Sequence, residues 1–201
     1  MKLINHLKTI NKHKYYVTML CFKCGLYKQG LLHDLSKYSP TEFLAGAKYY
    51  QGTASPNNAE RMDKGISTAW LHHKGRNRHH FEYWIDFSRT SQGIAGAKMP
   101  VNYLVEMVMD RIAACKVYRG KDYTDASAWE YYQRERPYLN SAMHTETKAE
   151  LEKILIMLKQ RGEKTTFSYL RKLLKKGNCK VFDNSDQIAW LFYRSCSMLC
   201  C

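Results

Sequence analysis

Apolar residues recur at helical spacing along nearly the whole 201-residue chain, and no β–α–β alternation interrupts them. That pattern restricts the chain to packed helices, so the predicted fold class is all-α. Residues 12–30 carry Tyr16, Leu20, Cys24 and Tyr27 at helical spacing, with Gly30 as the closing residue. Ser39-Pro40-Thr41-Glu42 has the composition of a helix start, with Ser39 as cap, Pro40 in the first turn and Glu42 completing a capping box; that helix runs to about Tyr50. A loop over 51–58 precedes a helix over roughly 58–73, which places Met62, Ile66, Ala69, Trp70 and His73 on one side. Lys74 to Arg78 breaks the pattern, and Gly93 and Gly96 mark a further loop. Val101–Tyr118 is a strong helix with Leu104, Val105, Val108, Ile112 and Cys115 inward. Helices near 126–135, 145–161 and 165–176 follow, with Gly162 and Gly177 as stop signals. Val181-Phe182 and Trp190-Leu191-Phe192 fit either a short strand or a last helix. No repeat and no linker divides the chain, so a single domain is expected.

Hydrophobic and charged contents of 45% and 25% are ordinary for a globular protein, and no apolar run reaches the roughly 18–20 residues of a membrane span. The N-terminal Met1-Lys2-Leu3-Ile4 has no apolar signal core. The expectation is therefore a soluble cytoplasmic protein without a membrane partner. A net charge of +14 favours polyanionic partners: a phosphorylated small molecule, a nucleotide or oligonucleotide, or nucleic acid itself. The densest basic run, Arg171 to Lys176, also fits the solvated face of an amphipathic helix. Seven cysteines at irregular spacing read as reduced thiols. A zinc site joining Cys21 and Cys24 to Cys196, Cys200 and Cys201 is conceivable, but Cys21-Phe22-Lys23-Cys24 sits mid-helix and buried or idle thiols are the plainer reading.

The chemistry-bearing residues are concentrated. His33 and Asp34 are adjacent, His13 lies twenty residues earlier, and His72, His73, His79 and His80 follow, which together uses six of the eight histidines. Imidazole plus carboxylate is a ligand set for Mn, Fe, Co, Ni or Zn. One carboxylate can also bridge two such ions. Asp110 stands among Val108, Met109 and Ile112, where a carboxylate is costly unless paired or metal-bound. His13, His33-Asp34 and Asp110 would converge if their helices pack side by side.

His13, His33-Asp34 and Asp110 resemble the H…HD…D signature of the HD-domain superfamily of metal-dependent phosphohydrolases. Gly30-Leu31-Leu32-His33-Asp34-Leu35-Ser36-Lys37 is similar to that family's apolar-HD-apolar-small-Lys segment, and Asp110-Arg111-Ile112-Ala113-Ala114 to its final aspartate segment. The similarity spans about residues 10–120; the rest, about 121–201, would be a C-terminal helical extension of an HD-like bundle. The HH…HH arrangement is also similar to a small uncharacterised HD-like branch.

The resemblance implies that His13, His33, Asp34 and Asp110 hold a first metal, with Asp34 bridging to a second. His73, on the face of Ile66 and Trp70, and His80, beside Phe81, are the expected ligands of the second ion. His72 and His79 are left to contact phosphate. Lys37, one turn beyond the pair, either reaches a substrate phosphate or pairs with a nearby acid. Arg111 either binds phosphate or forms a structural salt bridge. Asp34 and Lys37 are thus the expected catalytic residues, with one or two divalent transition metals as cofactor. Glu42 is expected to cap its helix, and His6 and His144 to lie at the surface. The implied activity is a phosphodiesterase or nucleotidase acting on a nucleotide-type substrate through a metal-bound hydroxide. Two other readings stand beside it: an HD-type di-iron oxygenase, and a basic nucleic-acid-binding protein with a relic site.

Overall fold

The computed structural model describes residues 1–89, 93–139 and 142–196, with side chains described for 1–89, 93–137 and 142–177. Helix α1, Lys2–Cys24, buries His6, Ile10, His13, Val17, Leu20, Cys21 and Cys24 along one stripe at alternating three- and four-residue steps. It ends at Gly25, whose φ of 85° is the left-handed cap that a glycine adopts without strain. The expected closing residue, Gly30, instead lies inside α2, Tyr27–Leu32. A Cβ there would sit 2.9 Å from the Cys21 Cβ, so glycine is what allows α2 to lie directly on α1. Thr18 Oγ1 donates to the Gly30 carbonyl (2.8 Å), and Lys14 Nζ donates to the carbonyls of Leu31 (2.8 Å) and His33 (2.9 Å). These bonds pin the end of α2, and with it the turn that carries His33-Asp34, to the first helix.

A 3-10 turn, Leu35–Tyr38, leads to α3, Pro40–Lys48. The Ser39 hydroxyl accepts from the Glu42 N–H, as the capping box predicts. The helix expected over 58–73 is two helices: α4, Pro56–Lys64, ending at a left-handed Gly65, and α5, Thr68–Lys74, capped by Ser67. Met62 and Ile66 accordingly lie exposed, whereas Ala69 and His73 are buried. After α5 the chain makes a 3-10 turn, Phe81–Trp84, and an antiparallel hairpin of β1, Ile85–Ser88, and β2, Gly93–Gly96, with Phe87 opposite Ile94. The hairpin stands where a loop is expected around Gly93 and Gly96, since β2 is only four residues long with glycine at both ends and carries almost no strand signal.

Helix α6, Val101–Arg119, runs through the middle and is buried nearly all round, from Leu104 to Met109 and again at Ile112, Ala113 and Cys115. Helix α7, Ser127–Leu139, and α8, Thr145–Cys196, complete the fold; α8 is interrupted at Gly162 (φ 73°), as the stop signal predicts, but continues through Gly177. The backbone around Val181 and Trp190 is therefore helical. Ala128 and Tyr132 of α7 and Leu151, Ile154, Leu155, Leu158 and Leu170 of α8 join Val17 and Leu20 of α1 and Val105 and Ile112 of α6 in one hydrophobic cluster, so the C-terminal helices share the core of the motif-bearing part. The fold is predominantly all-α, as expected. No helix among the described residues is long and apolar enough to cross a membrane.

Candidate metal centre

Four elements converge on Asp34. Helix α1 presents His13. The end of α2 presents His33 (φ −53°, ψ 129°) followed by Asp34 in the left-handed region (φ 54°, ψ 27°), the only non-glycine with positive φ among the described residues. Aspartate tolerates that conformation better than most residues. This local kink lets two consecutive side chains meet at one point. The C-terminal end of α5 presents His73, the loop after it His79 and His80, and α6 presents Glu106 and Asp110, four residues apart on one face. The loop is tied down where it matters: Asn77 Nδ2 donates to Ser36 Oγ and to the His73 carbonyl, both 2.8 Å.

Around Asp34 Oδ2 lie Lys37 Nζ at 2.6 Å, His33 Nε2 at 3.1 Å and His13 Nε2 at 3.7 Å. Around Oδ1 lie His73 Nε2 at 3.3 Å and His79 Nε2 at 3.4 Å. Asp110 Oδ1 is 2.9 Å from His13 Nε2 and 3.5 Å from His33 Nε2. Donor atoms of His13, His33, Asp34 and Asp110 all fall within 4.8 Å of one another, as do those of Asp34, His73, His79 and His80. Asp34 belongs to both groups, the position a bridging carboxylate would occupy.

The outer nitrogens of three of these rings are anchored. His33 Nδ1–H donates to Glu106 Oε1 (2.9 Å), His79 Nδ1 faces the same oxygen at 3.3 Å, and His73 Nδ1–H donates to Glu42 Oε2 (2.7 Å). An ionised carboxylate only accepts, so each anchored ring carries a proton on Nδ1 and turns Nε2 inward. Burial lowers His33 and His73, but Asp34 outweighs it and holds both above the ordinary imidazole value, so a metal ion would displace a proton from those two Nε2 atoms. Those inward atoms are left over: Nε2 of His13, His33, His79 and His80 and both oxygens of Asp34 are buried without a hydrogen bond of good geometry. Buried polar atoms are nearly always satisfied, and a convergent set that is not is what divalent cations complete. The donor set, imidazole nitrogen plus carboxylate oxygen, fits a first-row transition metal at either position. The buried His/Asp/Glu groups are thus able to hold metal.

Burial on its own pushes Asp34 upward, but His33, Lys37 and His73 outweigh it and hold the carboxyl well below the usual range. Asp110 is likewise driven up by burial and brought well below the usual range by the close imidazoles of His13 and His33. His80, buried beside His79 and His73, is held well below the ordinary imidazole value, so its neutral, ligating form dominates. Burial and then the neighbouring His33 lower His79 in the same sense.

Several expected roles shift. His79, expected to touch phosphate, sits inside the second donor group with His73 and His80. His72 also leaves the phosphate role: its Nδ1–H donates to Glu42 Oε1 (2.6 Å), and it belongs to neither donor group. His72 and His73 stand at the end of α5, where successive side chains diverge by about 100°, so only His73 faces the centre, whereas His79 and His80 lie in the loop and both enter the second donor group. The Glu42 carboxylate, expected to complete the capping box, instead holds both His72 and His73, while the Ser39 N–H donates to the Ser36 carbonyl. Arg111 forms the structural salt bridge, Nη1 to Glu135 Oε2 at 2.8 Å, with its guanidinium over the Tyr131 and Tyr132 rings. Lys37 pairs with a nearby acid, Asp34, and also lines a cavity. His6 is buried against Phe43 rather than at the surface. Cys21 and Cys24 are free and buried in the core, as idle thiols would be; Cys200 and Cys201, and the side chain of Cys196, lie outside the described residues. Glu106 escaped notice, although a charged residue one turn before Asp110 in the same apolar helix carried the same signal.

A cavity of about 570 Å³ opens over the centre. His13, His73, His80 and Asp110 form its floor, with Lys37 and Arg111 beside them and Trp70, Tyr118 and Tyr131 in the walls. That volume is within the range of small-molecule sites.

The family model for DUF5662, a family of unknown function, matches residues 2–157. The chain belongs to that family. Every donor residue of the centre falls inside the segment that DUF5662 covers, as do Glu42 and Glu106. No curated protein and no solved structure matches the chain.

Proposed function

We propose that this protein is a metal-dependent phosphohydrolase of HD-domain type, acting on a nucleotide-type phosphate ester in the cavity above Asp34. The observation that carries the reading is the set of buried inward-facing Nε2 and carboxylate atoms left without hydrogen bonds while the outer Nδ1 atoms are anchored. His13, His33, Asp34 and Asp110 would hold one divalent cation; Asp34, His73, His79 and His80 would hold the other. Divalent ions so held supply Lewis acidity to phosphoryl oxygens and acidify water near neutral pH. The Lys37 ammonium, 2.6 Å from Asp34 Oδ2, can turn to a phosphoryl oxygen from the cavity wall. Trp70, Tyr118 and Tyr131 offer apolar surface for the remainder of an ester, and the net charge of +14 draws anions toward the opening.

The test is a screen of phosphomonoesters, phosphodiesters and cyclic nucleotides with Mn, Fe, Co, Ni and Zn, with Asp34→Ala in parallel. The expected result is metal-dependent phosphate release that the variant lacks. Release that persists in Asp34→Ala overturns the assignment. So does O₂ consumption by an iron-loaded protein without phosphate release, or salt-sensitive nucleic-acid binding unchanged in His33→Ala and Asp34→Ala with no turnover.

A further inference from the structure

The two donor groups share a residue on the inside, Asp34, and they also share one on the outside. Glu106 is 5% exposed and lies one turn before Asp110 on α6. Its Oε1 faces Nδ1 of His33 at 2.9 Å, a ring of the first group, and Nδ1 of His79 at 3.3 Å, a ring of the second. Its Oε2 accepts from Gln29 Nε2 at 2.7 Å, and Gln29 Nε2 also reaches the Asn102 carbonyl at 3.2 Å, so the carboxylate cannot swing to serve one ring at the expense of the other. The His33 and His79 rings stack with centroids 4.3 Å apart, which leaves neither free to turn independently. Glu42 differs: it anchors His73 of the second group, while its other oxygen holds His72, which belongs to neither.

We infer that Glu106 is a positioning residue that couples the two metal positions, in that a single carboxylate oxygen orients one ligand of each. The inference rests on the metal-binding reading above. A carboxylate behind a ligating imidazole fixes its tautomer and aim, and removing such a partner typically weakens metal binding by about 10–100-fold. One carboxylate behind two rings places both ions under the same control. Removing Glu106 therefore weakens both binding steps, whereas removing Glu42 weakens one.

The experiment is a calorimetric titration of the full chain with Mn²⁺, paired with the optical spectrum of the Co²⁺-loaded protein as a report on ligand geometry. Wild type is expected to take up two equivalents. In Glu106→Ala both equivalents weaken by about 10–100-fold and the whole Co²⁺ band system changes. In Glu42→Ala only one equivalent weakens, and about half of the Co²⁺ intensity is retained. Glu106→Gln keeps an acceptor oxygen while losing the charge, and gives a smaller but equal weakening of both steps; it serves if Glu106→Ala fails to fold by circular dichroism. Two equivalents in wild type, with a Glu106 variant that alters one step or neither, overturns the coupling and leaves the metal reading standing. A wild type that binds no Mn²⁺ or Co²⁺ overturns the metal reading and the coupling with it.

Discussion

Asp34 and Glu60 are two carboxylates buried to almost the same degree, 2% and 1% exposed, and they are satisfied in opposite ways. Glu60, on α4, accepts four hydrogen bonds: from Ser67 Oγ (2.7 Å) and the Ala69 N–H (3.3 Å) on one oxygen, and from Thr68 Oγ1 (2.8 Å) and Lys64 Nζ (3.1 Å) on the other. Burial pushes this carboxyl up, but the Ser67 and Thr68 hydroxyls, Lys64 and the Ala69 amide bring it down to about 2. Its valence is closed within the chain, and its work is to bind the start of α5 to α4. Asp34 is ringed by four imidazole nitrogens and an ammonium, yet neither of its oxygens carries a hydrogen bond of good geometry. A buried carboxylate is thus not in itself the mark of a site. The mark is one whose neighbours converge without completing it, because the fold has then been arranged for something other than its own stability.

The widest separation between the two clusters is expected in catalysis. Asp34→Ala removes a donor common to both groups and lowers turnover by about a thousandfold, on the order of 4 kcal/mol of transition-state stabilisation, measured as phosphate release. Glu60→Ala leaves turnover per folded molecule unchanged. Equal losses in the two variants would break the distinction.

The order reverses for folding. Glu60→Ala orphans two hydroxyls and an amide at the α4–α5 junction and lowers unfolding free energy by about 3 kcal/mol, read from urea denaturation without metal. Asp34→Ala lowers it by less, since the carboxylate removed carries no hydrogen bond of good geometry and the imidazoles around it can shed their protons once it is gone.

Metal saturation sharpens the same contrast. At a free concentration of about 100 times the Kd of each site, Mn²⁺ raises unfolding free energy by about 2.7 kcal/mol per bound ion, about 5.4 kcal/mol for two, in wild type and in Glu60→Gln. In Asp34→Ala the increment is absent. A full increment in that variant would show that the ion binds elsewhere.

How far these clusters could be read from sequence follows the same physics. Asp110 is legible as a carboxylate among apolar residues of α6, whereas His33-Asp34, in the turn after α2, is legible only as an adjacent imidazole–carboxylate pair that gains weight from His13 and the later histidines. The assignment within His72-His73 and His79-His80 was only half legible. Adjacent residues point in different directions, and the direction of the loop after α5 depends on Asn77 binding Ser36 and the His73 carbonyl, contacts made across 41 and 4 residues. The split of α4 from α5 turned on Gly65 and Ser67, whose local signals were overridden by an apolar stripe through Met62 and Ile66 that meets only water. Glu60 had no sequence signature: its partners are ordinary hydroxyls seven and eight residues on, brought back by the turn that the stripe concealed.

The smallest expected effect is the share of the acid limb that Glu60 contributes. It is read as a difference, because Asp34, Asp110, Glu42 and Glu106, also held below their usual values, contribute equally to wild type and to a Glu60 variant. The folded-state value of Glu60, about 2, lies below the usual 4.5, so the unfolded chain binds the proton more readily than the folded one. The stability it contributes is therefore complete above about pH 5 and is lost as pH falls toward 2. Over that window the slope of unfolding free energy against pH carries up to about 1.4 kcal/mol per unit from this group. Glu60→Gln removes the titrating carboxyl while keeping one acceptor, so its metal-free acid limb is shallower than that of wild type by up to that amount, and the two curves run parallel above pH 5. Measured by urea denaturation at half-unit steps, identical slopes below pH 5 would mean that the four hydrogen bonds do not favour the charged form, and Glu60 would lose its place as the satisfied counterpart of Asp34.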